Sequence, residues 1–226
     1  MEEKSIKMQR EYANKNGWKN YLIDGPINYK EYNQQKFRIL FYLKEAYGYE
    51  EGEVIIGNVF NDWIDKEKKT NIEETLLSYH ILNFYDSKIR INNKEQFYSI
   101  KSNSNLLKET SKKIAHINIK KTFGEESKSN DSLIRDESRK NSDLLKQQIQ
   151  LYKPDLIITG GPVCWDSLID DLGLFNIDKN SVKRPGIIKY NDIYLCNSYH
   201  PEYYTKEITE LTSYDIYNLI IENIEI

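Results

Sequence analysis

The chain has 226 residues, 39% hydrophobic and 30% charged, enough apolar content to bury one sizeable core and too much for a disordered chain. Its formal net charge of −3 lacks the basic balance of a general nucleic-acid binder, so any contact with phosphates has to come from a local basic rim. No apolar run approaches the roughly 20 residues that span a bilayer, and the opening MEEKSIKMQREY lacks a signal-peptide apolar stretch. A cytoplasmic, monomeric, single-domain chain over 1–226, with no membrane partner, is the expectation.

Residues 1–34 are polar and read as an N-terminal helical extension, with a helix near 4–15 and a turn at Gly25-Pro26. Residues 37–43 form a β-rich run that enters Lys44-Glu45-Ala46-Tyr47-Gly48. Residues 71–85 place Leu76, Leu77, Ile81 and Phe84 near one helical face. A second strand is expected at 114–119, followed by a polar surface loop over 124–139.

Helical pattern resumes at 142–152, with Ser142 as an N-cap and Pro154 as the stop. Residues 155–159 read as a short buried strand ending in Gly160-Gly161, and Pro162 opens a helix to about Leu172. Residues 187–190 and 193–196 read as a hairpin about Asn191-Asp192, and its second strand leads to Ser198-Tyr199-His200-Pro201. A closing helix covers about 213–222.

Four strands separated by helical stretches predict an α/β fold, a three-layer α/β/α sandwich about a mostly parallel four-stranded sheet. Ligands of such folds sit beyond the carboxyl ends of the strands. The segments 45–48, 118–121, 160–162 and 198–201 all fall at those ends. Cys164 and Cys196 are far apart and outside any CxxC pair, so they read as reduced core residues. No His/Cys/carboxylate cluster has metal-ligand spacing, and no metal or other cofactor is expected. The GxSxG, Walker and GxGxxG signatures are absent.

Those four segments, in this order, resemble the uracil-DNA glycosylase superfamily over about 36–206, most closely its bacterial iron–sulfur branch. There the first strand ends in Gly-Glu-Ala-Pro-Gly; here Lys44-Glu45-Ala46-Tyr47-Gly48 stands in that place. The branch's Asn-Val-Val-Lys corresponds to Asn118-Ile119-Lys120-Lys121, and its Leu-x-x-Gln-Ile helix to Leu144, Gln148 and Ile149. Its Thr-Tyr-His-Pro-Ser corresponds to Ser198-Tyr199-His200-Pro201-Glu202, and Arg184-Pro185-Gly186 is similar to an Arg-Gly before its last hairpin. The departures are the missing cluster cysteines, Lys44 and Tyr47 in the first loop, Glu202, and a longer interval that implies an insertion at about 60–110.

The resemblance implies a DNA partner and a monofunctional glycosylase acting on a flipped pyrimidine. Such a reaction builds negative charge on the leaving base and positive charge on the sugar, so it rests on electrostatic preorganisation. His200 would donate to the base anion, Asn118 would read the base edge, and Glu45 would position water or stabilise the sugar cation. Lys44, Ala46, Tyr47, Gly48 and Phe60 would line the base pocket. Gly160 and Gly161 would offer backbone N–H groups to a phosphate. Lys120, Lys121, Lys183, Arg184, Ser198, Tyr199 and Pro201 would face DNA, with Tyr203 and Tyr204 as the duplex wedge. His80 and His116 read as structural. The altered first loop and the insertion favour a bulky modified base, such as the glucosylated hydroxymethylcytosine of phage DNA, in anti-phage defence. Uracil excision in base-excision repair is the alternative, and a non-catalytic DNA-binding module on the same fold is a third reading.

Overall fold

The computed structural model describes residues 1–46, 51–123, 129–204 and 211–225. The chain opens with α1 (Glu2–Asn16), β1 (Tyr21–Ile23), β2 (Gly25–Pro26) and α2 (Tyr29–Asn33). Next come β3 (Ile39–Leu43), β4 (Glu53–Ile55), α3 (Ile56–Asp65), α4 (Lys69–Ser87), α5 (Lys94–Tyr98) and α6 (Ser104–Ser111). They are followed by β5 (Ile114–Asn118), α7 (Asp131–Tyr152), β6 (Leu156–Gly160) and α8 (Pro162–Asp166), which continues as a π-helical stretch over Ser167–Asp171. The chain closes with the hairpin β7 (Gly186–Tyr190) and β8 (Ile193–Ser198), then α9 (Ser213–Asn223).

Apolar runs without a charge need both faces covered, and β3, β5 and β6 are buried along their whole length. Among the described residues the main sheet has six strands rather than the expected four, in the order β2-β5-β3-β6-β8-β7, and it is mixed. β3 runs parallel to β5 and β6, and β6 parallel to β8; β2 and β7 add antiparallel edges. The Gly25-Pro26 turn is therefore also an edge strand, where a proline is tolerated because no donor is needed on the outer side. A separate two-stranded parallel sheet joins β1 to β4.

Alternate residues of β3 feed two cores. Ile39, Phe41 and Leu43 pack with Phe60, Leu76, Leu77, Ile81 and Ile220 on one face. Leu40 and Tyr42 pack with Leu145, Ile149, Tyr152 and Trp165 on the other. Helices thus cover both faces of the sheet. The expected surface loop at 124–139 is corrected from Asp131 onward. Asn130 caps α7 by accepting the N–H groups of Ser132 and Leu133, so Ser142 lies inside the helix rather than at its start. Both cysteines are buried thiols, pushed up to about 12 by burial. Among the described residues, no helix is long and apolar enough to cross a membrane.

Candidate active site

At the carboxyl ends of β3 and β5 the ladder continues past the strands. The Ile119 N–H donates to Leu43 O and the Lys120 N–H to Lys44 O, both at 2.9 Å. This pairing brings the two exit loops side by side, so Glu45 and Asn118 face the same space. His200 arrives from the end of β8. Together Glu45, Ala46, Asn118 and His200 line one cavity of about 280 Å³. That volume lies near the lower end of small-molecule sites, about 300 Å³.

Part of the lining was not foreseen. It comes from α3 and from the start of α4, through Trp63, Lys68, Lys69, Thr70, Asn71 and Glu74. His116, read as structural, is buried against Phe41 and Phe60 and also borders the cavity. It sits two residues before Asn118 on β5, on the same face of the sheet. His80 does stay in the packing, its ring 2.9 Å from Phe97 O.

Glu45 is buried, and its carboxylate accepts from Lys120 Nζ at 2.6 Å. Lys120, expected on a DNA rim, thus orients the acid instead and also donates to Phe123 O at 3.2 Å. His200 Nδ1 accepts the Glu202 N–H at 3.3 Å, so the proton of the neutral ring sits on Nε2. Gly160 explains how close the strands come at this end. A Cβ there would lie 2.7 Å from Leu43 Cδ2 and 3.4 Å from His200 Cδ2.

The main chain of Asn118 is fixed from behind. Its N–H donates to Asp24 Oδ2 at 2.6 Å. The Asp24 carboxylate also accepts from Lys121 Nζ at 2.8 and 2.9 Å and from Gln148 Nε2 at 2.7 Å. Lys121 is only 1% exposed, so it holds up the floor of the site and does not reach DNA. Burial lowers its pKa, and Asp24 opposes that shift.

Other expectations also need correcting. Phe60 is fully buried behind the wall, edge-on to His116 at 4.9 Å, and does not line the cavity. Lys44 turns away to pair with Asp131 at 2.6 Å. Ser198, Pro201 and Tyr204 are buried: the Ser198 and Tyr204 hydroxyls share a 2.8 Å hydrogen bond that closes the His200 loop on itself. They shape the loop and offer DNA no surface. Tyr203 is exposed at 42% beside His200, Lys183 is exposed, and Arg184 donates to Asn197 Oδ1 under the Tyr199 ring. Gly161 is buried and adopts a φ of 110°, where a side chain would be strained although a Cβ would meet nothing within 4 Å. Tyr47 and Gly48 lie outside the described residues.

Glu74 is the least expected member of the wall. It is fully buried, and among the described residues neither carboxyl oxygen has a hydrogen-bond partner. His116 Nε2 lies 3.3 Å from Glu74 Oε2, but the pair is misaligned and Nε2 is also unpartnered. Burial raises the Glu74 carboxyl well above its ordinary value and lowers His116 to about 3, so His116 is neutral near pH 7. Among the described residues, no group of three or more His, Cys, Asp or Glu side chains is placed to hold a metal ion.

Compared with family models and with curated proteins, the chain matches none of either.

Proposed function

We propose that this chain is a monofunctional DNA glycosylase that hydrolyses the N-glycosidic bond of a pyrimidine extruded into the cavity beside Glu45. The reading is supported by one observation above the rest: Glu45, Asn118 and His200, from three separate strand ends, line the same nucleobase-sized space. The order of the strand-end motifs, similar to that of the uracil-DNA glycosylase superfamily, agrees with it. In this reading the His200 Nε2–H donates to a base carbonyl oxygen as negative charge develops there. The Asn118 amide offers a donor and an acceptor to the base edge. The Glu45 carboxylate, held by Lys120, stabilises the sugar cation and orients the attacking water. Tyr203 stands where an exposed ring can fill the gap left in the stack. Lys68 and Lys69 at the cavity supply local positive charge that the net charge hides.

The test uses duplex and single-stranded oligonucleotides carrying uracil, hydroxymethylcytosine or glucosylated hydroxymethylcytosine, with abasic sites revealed by alkaline cleavage. Abasic sites should form with the parent protein. His200→Asn should slow their formation by roughly 100- to 1000-fold, the usual cost of one donor to a developing anion. Uracil release with modified DNA left intact would make the enzyme a repair glycosylase. DNA binding without abasic sites, unchanged in a Glu45→Gln/His200→Asn double variant, would replace the proposal with a binding module.

A further inference from the structure

We propose that the first turn of α4 is an oxyanion subsite of the cavity, and that it takes a phosphate of the nucleotide whose base lies against the strand ends. The nucleotide rests on the glycosylase reading; the place of its phosphate goes beyond it. The resemblance implies phosphate contacts at Gly160 and Gly161, whereas α4 lies in the stretch at about 60–110 that it leaves as an insertion.

The first N–H groups of a helix have no acceptor within the helix, and they carry the positive end of its dipole. In α4 the first internal bond runs from the Ile72 N–H to Lys68 O at 3.1 Å, which leaves over the N–H groups of Lys69, Thr70 and Asn71. Among the described residues nothing accepts from those three. Such a start is commonly capped by Ser, Thr, Asp or Asn and followed by acids. Here Lys68 holds the capping position without a side-chain cap, and the first turn has no acid. Lys68, Lys69, Thr70 and Asn71 all line the cavity.

The Asn71 side chain points to a ligand independently. It is only 8% exposed, and its amide has no hydrogen-bond partner among the described residues. A buried amide left so costs stability unless a ligand satisfies it. Unlike the Glu74 oxygens, the Asn71 amide is not closed off from solvent, so an occupant of the cavity can reach it. Lys68 and Lys69 add two ammonium groups, while the Glu45 carboxylate already has Lys120. Glu202 borders the cavity from the His200 loop, away from α4 in sequence. Main-chain N–H groups, an amide and two ammoniums together are a donor set, and a phosphate is an anion made of acceptors.

The experiment measures binding of 2′-deoxyuridine, 2′-deoxycytidine, their 5′- and 3′-monophosphates and inorganic phosphate by calorimetry and thermal shift. The parent is compared with Asn71→Asp and with Lys68→Gln/Lys69→Gln. The parent should bind a monophosphate about 10- to 100-fold more tightly than its nucleoside, as charge-assisted hydrogen bonds allow. Both variants should lose most of that preference. Asn71→Asp puts a carboxylate in the first turn, where it suits the dipole but repels an oxyanion. Lys68 is exposed and Lys69 half-buried, so the double variant spares the core. Single strands carrying one neutral methylphosphonate beside a uracil or hydroxymethylcytosine then separate the two sources of phosphate. A backbone phosphate makes one such linkage weaken binding in the parent and not in Asn71→Asp. A free nucleotide's terminal phosphate leaves the linkages silent and the monophosphate preference intact.

Nucleosides and monophosphates bound alike, with every methylphosphonate silent, would overturn the subsite. So would a phosphate preference that persists in both variants. Abasic sites formed alongside either result would leave the glycosylase reading standing. Conversely, a phosphate preference lost in both variants, with no abasic site in any DNA, would keep the subsite and end the glycosylase reading.

Discussion

Replacing Glu74 by leucine should change the pH dependence of stability in a way that can be worked from the folded environment. In the unfolded chain Glu74 titrates near 4.5 and His116 near 6.5. In the fold, burial keeps Glu74 protonated far above 4.5 and His116 neutral down to about 3. The folded pair therefore holds one proton from about pH 3 up to where the raised Glu74 carboxyl titrates. Between pH 4.5 and 6.5 the unfolded pair also holds one, and stability from this source is flat. Above 6.5 the unfolded pair holds none, and below 4.5 it holds two. Stability then falls on both sides by about 1.4 kcal/mol per pH unit.

Glu74→Leu removes the alkaline limb and moves the start of the acid limb from 4.5 up to 6.5. The difference in unfolding free energy, parent minus variant, should be flat below pH 4.5. Above it the difference should fall by about 1.4 kcal/mol per pH unit while the folded carboxyl keeps its proton. Urea unfolding of both proteins at matched pH from 4 to 8 measures it directly. A difference that stays constant or rises with pH would mean that Glu74 is ionised and paired in the fold, and would refute the reasoning.

Asp24→Ala should destabilise the protein by about 3–5 kcal/mol, because it strands the buried Lys121 ammonium; a thermal melt should drop by roughly 6–20 °C, and adding Lys121→Met should recover most of the loss. Tyr204→Phe removes the hydroxyl that closes the His200 loop against Ser198; it should cost about 1 kcal/mol and slow abasic-site formation, whereas an unaffected rate would show that the loop holds its shape without that bond. Lys68→Gln and Lys69→Gln should each lower the slope of log affinity for DNA against log salt by roughly 1, read by fluorescence anisotropy on a labelled duplex.

The sheet was legible because β3, β5, β6 and β8 are short, apolar and bounded by polar turns, a pattern that leaves few alternatives. The strand-end residues Glu45, Asn118 and His200 were legible for the same reason, since their positions follow from where the strands stop. The first half of α7 was not. Its inward stripe is Ile134, Ser138 and Asn141, and two of those three are polar residues that hydrogen-bond inside the protein. Ser138 bonds to Ser167, and Asn141 donates to Ile119 O, so the stripe looks like a solvated loop until those partners are known. Lys121 was misread because its partner Asp24 lies 97 positions earlier. Glu74 left no trace at all: an acid within a helix reads as surface until the helix is seen to lie against the sheet. His116 did leave a signal, its two-residue spacing from Asn118 along a strand.

The first two dozen residues deserve a different status from that of an appendage. Gln9 on α1 exchanges hydrogen bonds with both the N–H and the carbonyl of Asp24, and Ser5 meets the Tyr152 hydroxyl at 2.6 Å. Asp24 in turn neutralises Lys121 and anchors Asn118. A version of the chain trimmed to 36–226 would keep every strand-end motif yet enclose a charge with no counterion. The segment from α1 to β2 is therefore part of the support beneath Asn118 and Lys121, although none of the strand-end residues lies within it.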